Sequence, residues 1–138
     1  MAAIDYSIAH EFADAVRAFA MIESAENPTA AGDEGLAFGL LQMHPATFKQ
    51  YYGCHTRFTA EVHDSWRTAQ IKCCAAFLHA HGWSTAAQEH RDLVVQAWNL
   101  GEAGVFHEKK RNPEYLSRWL EAYKKITDEA DFAKVQPE

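Results

Sequence analysis

Glu23 and Gln42 are the two side chains best placed by type and spacing to do chemistry. Glu23 closes a stretch in which Ile8, Phe12, Ala15 or Val16, Phe19 and Ile22 recur at steps of three and four, the period of a helix with one face in a core. A carboxyl at the end of such a face loses hydration, which disfavours its charged form and raises its pKa. That is what a general acid working near neutral pH requires. Ser24 follows it, and Gly39, Leu40, Leu41 and Gln42 supply, a short way downstream, a glycine-bearing turn with an amide. The combination suits a desolvated acid facing a groove. From spacing alone the plainer reading of Glu23 is a solvated carboxylate at a helix end.

The elements that must position these residues are helical. Periodicity and punctuation predict helices near 6–24, 45–52, 61–81, 86–99 and 113–126. Between the first two lies a segment over 25–44 with Pro28, Gly32, Gly35 and Gly39, which predicts turns or a small hairpin. Long irregular segments in compact domains are commonly functional. Asn112 before Pro113 is an N-cap and first-turn pair, with Leu116, Trp119, Leu120 and Tyr123 as the buried stripe after it. Gly82 and Gly101 sit where helices should stop. The expected organisation is one mainly α domain over 1–126, with no repeats, followed by a loosely held charged tail over 127–138.

Length and composition fit one small enzyme or binding domain. A chain of 138 residues can bury around two thirds of its unfolded surface, enough for one core. With 48% apolar and 12% aromatic residues it is globular. A net charge of −6, offset by no basic cluster beyond Lys109-Lys110-Arg111, argues against nucleic acid as a partner. No stretch approaches the roughly 20 consecutive apolar residues of a membrane span. The start carries Asp5 and neither a basic n-region nor a hydrophobic run, so no signal peptide is expected in this chain.

The cysteines and histidines carry less. Three cysteines, Cys54, Cys73 and Cys74, cannot all pair, and vicinal cysteines rarely bridge, so free thiols are expected. Val62, Trp66, Ala69, Cys73, Ala76 or Phe77 and Ala80 have helical spacing that puts Cys73 on a core face. Cys54 beside His55 is a weak pattern for a nucleophile, because sequence neighbours seldom meet productively. His79 and His81 point their rings about 200° apart on a helix and cannot chelate one ion. His10, His63, His90 and His107 show no ligand spacing either, so neither a metal nor another cofactor is expected.

Three blocks of sequence resemble the lysozyme-like superfamily, most closely the soluble lytic transglycosylase domains of bacterial peptidoglycan metabolism. The family's helix-ending Glu-Ser is matched by Glu23-Ser24, its Asn-Pro by Asn27-Pro28, its Ala-x-Gly-Leu-Met-Gln by Ala37-Phe38-Gly39-Leu40-Leu41-Gln42, and its Pro-x-Thr by Pro45-Ala46-Thr47. Ala97-Trp98-Asn99-Leu100-Gly101 looks like its Ala-Tyr-Asn-Ala-Gly, and Asn112-Pro113-Glu114-Tyr115-Leu116 like its late Tyr-Val segment. The blocks run in the right order over residues 8 to 126. Leu36 stands where the family usually has glycine, Trp98 where it has tyrosine, and Ala25-Glu26 where it often has a small or glycine pair. Trp98 lacks a phenol hydroxyl, so a role there passes to the indole N–H or disappears.

The resemblance implies a lysozyme-like single domain in which the 25–44 segment forms one wall of a glycan-binding groove opposite the helix bearing Glu23. It implies catalysis by Glu23 and substrate contacts from Ser24, Gly39, Gln42, Trp98, Asn99 and Tyr115. Each has a plainer alternative: Ser24 as a helix terminator, Gln42 as a surface amide, Asn99 as a helix end, and Trp98 and Tyr115 as core aromatics. The implied reaction breaks the MurNAc-GlcNAc β-1,4 bond without water. One glutamate protonates the leaving oxygen and then takes a proton from the sugar's own 6-hydroxyl, giving a 1,6-anhydro product. The alternative is a hydrolytic lysozyme or endolysin with Asp33 or Glu34 as a second carboxylate, which inversion places about 6.5–9.5 Å from the acid. A non-catalytic glycan-binding or assembly protein on the same scaffold is the other alternative. Peptidoglycan strands are the expected partner. The expected location is the periplasm or extracellular wall, reached after removal of a leader or by a phage-type route.

Overall fold

The fold is given by a computed structural model that describes residues 4–32, 37–44, 47, 50 and 64–135. It is mainly helical, as the periodicity predicts, and its two compact units divide between Phe77 and Leu78.

The first unit begins with Asp5, whose carboxylate accepts the Ser7 N–H at 3.0 Å and so caps a 3₁₀ segment, Tyr6–Phe12. His10, with φ 53° and ψ −122°, separates this segment from helix α1, Ala13–Ser24. The single helix expected over 6–24 is therefore two elements, and neither glycine nor proline marks the break. Phe12, Ala15, Val16 and Phe19 are buried as the stripe predicts, Ile8 and Ile22 are half-buried, and Ala9, Ala18 and Ala20 widen the buried face. Each large side chain buried this way stabilises the fold by about 1.5–3 kcal/mol.

The 25–44 segment contains the small hairpin. Strands β1, Ala31–Gly32, and β2, Ala37–Phe38, pair antiparallel, with Ala31 opposite Phe38 and Gly32 opposite Ala37. Helix α2, Asp64–Ala80, buries Ala69, Gln70, Ile71, Cys73, Cys74 and Phe77 within this unit. Ala69, Cys73 and Phe77 belong to the expected core stripe, whereas Ala80 is exposed. The helix expected over 45–52 is described only at Thr47 and Gln50, both helical. Asp33, Glu34, Leu36, Cys54, His55 and Val62, with the side chain of Trp66, lie outside the described residues.

The second unit contains a 3₁₀ turn, Trp83–Thr85, and helices α3, Gln88–Leu100, α4, Glu102–Phe106, and α5, Pro113–Val135. Gly82 (φ 64°) and Gly101 (φ 85°) stop the preceding helices in conformations that L side chains resist. Trp83 packs edge-on against Trp119 at 5.5 Å, and Trp119 stacks on Tyr123 at 4.8 Å. Arg91 covers Trp83 from 4.8 Å while its Nε–H donates to the Trp83 carbonyl at 2.8 Å.

Two expectations for α5 need correction. Its buried residues are Tyr115, Trp119, Ala122 and Ile126, while Leu120 is 38% exposed. Packing of Trp119 on Trp83 turns that side inward and leaves Leu120, one residue further around, on the flank. The helix also continues through Val135, past the boundary at 126 where a loose tail was expected. Between Pro113 and Val135 there is no further proline and no glycine, and Lys124 faces Asp128 one turn on at 3.9 Å. No described helix is long and apolar enough to cross a membrane.

Candidate active site

The C-terminus of α1 is a tight hook. Ala25 (φ 52°) and Glu26 (φ 61°) both take left-handed backbone conformations, and their N–H groups turn back to the carbonyls of Met21 and Ala20, each at 3.2 Å. Two successive non-glycine residues in this region store strain that neighbouring bonds must offset. Here the Glu26 carboxylate accepts from the Tyr6 hydroxyl at 2.9 Å and from Arg17 Nε–H at 3.1 Å. Burial, then the Glu26 hydrogen bond, push the Tyr6 phenol well above its ordinary range.

Ser24 joins this hook to the turn after the hairpin. Its hydroxyl donates to the Leu40 carbonyl at 2.6 Å, with the Ala20 carbonyl as a second acceptor at 3.2 Å, and accepts the Asn27 N–H at 3.1 Å. Asn27 in turn closes a local turn by accepting the Thr29 N–H and hydroxyl, both at 3.0 Å. Ser24 therefore does more than end a helix.

Glu23 sits half-buried in the last turn of α1. It lies close enough to α2 for its charge to act on Cys74. Burial first, then Cys73 and then Glu23 hold the Cys74 thiol well above its usual value, and burial pushes the Cys73 thiol up to about 12. The charge of the candidate acid thus reaches a fully buried, protonated thiol on α2.

The 39–42 turn is built from within by Gln42. Its Nε2 donates one hydrogen to the Ala30 carbonyl at 3.1 Å and the other to the Gly39 carbonyl at 2.9 Å. Both amide hydrogens are spent on backbone, which leaves Oε1 as the atom Gln42 can offer a ligand. That oxygen lies over Gly32, where a Cβ would meet it at 2.5 Å. Gly39 takes φ 80°, and the side where a Cβ would stand is filled by the buried Gln70 amide. Gln70 was not singled out from sequence, because a glutamine inside a helical run has the usual pattern of a surface residue.

Trp98, Asn99 and Tyr115 belong to the second unit. Asn112 caps α5 by accepting the Tyr115 N–H at 3.1 Å, donates through Nδ2 to Asn99 Oδ1 at 2.8 Å, and gives its own N–H to buried Gln96 at 2.8 Å. Asn99 is exposed, with its Nδ2 group as what remains for a ligand. Trp98 is half-buried, and Tyr115 is a core residue whose hydroxyl oxygen is buried as well. Among the described residues, no group of three or more His, Cys, Asp or Glu is arranged to hold a metal ion.

No family model, curated protein or solved structure matches this chain.

Proposed function

We propose that the chain is a lytic transglycosylase acting on peptidoglycan, with Glu23 as general acid and then base. The observation that supports it is the join between Ser24 and Leu40, which holds the half-buried Glu23 at the end of α1 beside the turn carrying Gln42. On this reading the chain is a lysozyme-like domain, and the hairpin with the 39–42 turn is one wall of its glycan groove.

The chemistry follows from one carboxyl. Glu23 gives its proton to the oxygen that leaves C1 of the MurNAc unit, and the C1–O bond breaks. The resulting carboxylate removes the proton from that sugar's 6-hydroxyl as its oxygen bonds to C1. The proton lost in the first step is recovered in the second, water is not consumed, and the anhydro product leaves. Gln42 Oε1 accepts a hydroxyl or amide hydrogen from the glycan. The part played by Trp98, Asn99 and Tyr115 rests on the resemblance alone. Action on this polymer places the protein in the periplasm or at the wall.

The test is mass spectrometry of the soluble products released from purified peptidoglycan by the wild-type chain and by Glu23→Gln. Anhydromuropeptides from wild type alone are expected. Reducing-end products would replace this reading with a hydrolase and make Asp33 and Glu34 the next targets. Binding without release of fragments would replace it with a glycan-binding role.

A further inference from the structure

Gln70 has no exposed surface on a helix face otherwise made of Ala69, Ile71, Cys73, Cys74 and Phe77. Burying a long amide costs side-chain entropy and hydration, and the cost is offset only by directed hydrogen bonds. Its Oε1 accepts the Leu41 N–H at 2.9 Å. Its terminal amide also lies so close to Gly39 that a Cβ there would stand 2.4 Å from Nε2.

The Leu41 N–H and the Leu40 carbonyl are the two ends of one peptide unit. A trans peptide is rigid and points these groups in opposite directions. The Ser24 hydroxyl holds the carbonyl end at 2.6 Å and Gln70 holds the amide end. Rotation of that unit would break both bonds and leave a buried donor unsatisfied. We infer that Gln70 is a positioning residue that, with Ser24, clamps the 40–41 peptide unit and so fixes the Gln42 turn against the end of the Glu23 helix. This rests on the proposed glycan-cleaving reading for its effect on turnover, but not for the clamp itself.

The experiment follows hydrogen exchange of the Leu41 amide by NMR alongside kcat and KM on peptidoglycan. It compares wild type, Gln70→Met, which keeps length and loses the acceptor, and Lys72→Ala, an exposed control on the same helix. Gln70→Met is expected to speed Leu41 exchange by about tenfold or more. It should also lower kcat by about 10- to 100-fold, with a smaller change in KM, as misplacement of a site does. Lys72→Ala should match wild type. Wild-type exchange and kcat in Gln70→Met would overturn the inference. If Gln70→Met does not fold, rapid Leu41 exchange in wild type overturns the clamp and slow exchange upholds it. If wild type releases no glycan fragments, the transglycosylase reading falls, and Leu41 exchange alone then decides the clamp.

Discussion

The Ser24 hydroxyl stands 2.6 Å from the Leu40 carbonyl oxygen, which fastens the residue after Glu23 to the turn before Gln42. Removing that hydroxyl leaves a partly buried carbonyl without its donor, a loss of about 1–3 kcal/mol. Ser24→Ala should therefore lower the thermal midpoint and impair the proposed glycan cleavage, whereas Ser24→Thr, which keeps a hydroxyl, should lose less of both. Calorimetry with product release on the two variants checks this.

Gly39 is constrained twice, by a φ of 80° and by the Gln70 amide at its back. An alanine there takes up left-handed backbone strain of about 1–2 kcal/mol. It also presses a methyl group into a side chain that is fully buried. Gly39→Ala should destabilise the protein. Combining it with Gln70→Ala should cost less than the sum of the two single changes, since the second vacates the space the first needs. A urea-denaturation double-mutant cycle measures the coupling; strict additivity would mean the two positions do not compete for that space.

His81 stacks on Phe106 at 5.4 Å, tilts toward His90 at 6.4 Å, and has its Nε2 3.6 Å from Glu102. Despite the carboxylate, burial first and His90 second hold the His81 pKa below 6.5, and burial raises that of Glu102 above 4.5. Both shifts favour the neutral forms, so burial outweighs attraction between the two. For His81 the unfolded chain binds the proton more tightly. Its contribution is therefore complete above pH 6.5 and falls as pH drops from there through the lower folded-state pKa. Glu102 works in the opposite sense, with a contribution present below 4.5 that is lost as pH rises through its raised pKa. Urea midpoints followed by tryptophan fluorescence should fall below pH 6.5 in wild type. The decline should be shallower in His81→Gln; an unchanged slope in that variant would remove His81 as its source.

Cys73 and Cys74 are buried thiols held in the protonated form. Nucleophilic attack needs the thiolate, so neither should react in the native state. In a Cys54→Ser background, a thiol reagent at pH 8 should label neither residue until urea is added. Rapid native labelling of Cys74 would contradict its burial.

What was legible in the sequence was local. The Asn112-Pro113 start of α5 and the stops at Gly82 and Gly101 each depend on a few neighbouring residues, and the structure places them where their types demand. The pairing of β1 with β2 is one of the two outcomes, turns or a small hairpin, that punctuation predicts for 25–44, and the buried face of α1 followed from its period. The break at His10 was hidden because it comes from backbone geometry without a glycine or proline to mark it. Leu120 was misplaced because Trp119 and its partner Trp83 are far apart in sequence, and their contact sets the inward face. The same reason concealed Gln70, whose burial depends on a turn 29 residues away. At the candidate site, the position of Glu23 and Ser24 at the end of α1 was legible from the period of that helix. That Gln42 would turn its hydrogens inward depends on Ala30 and Gly39 meeting across the hairpin.

The joint of Gln96, Asn99 and Asn112 is made entirely of uncharged groups, amide to amide and amide to backbone. Ions in solution have no net charge there to screen, and no group in it gains or loses a proton across the range in which His81 and Glu102 titrate. The connection from the end of α3 to the start of α5 should therefore hold equally well in dilute buffer, in brine and in mild acid, while the His81 cluster in the same unit responds to acidity.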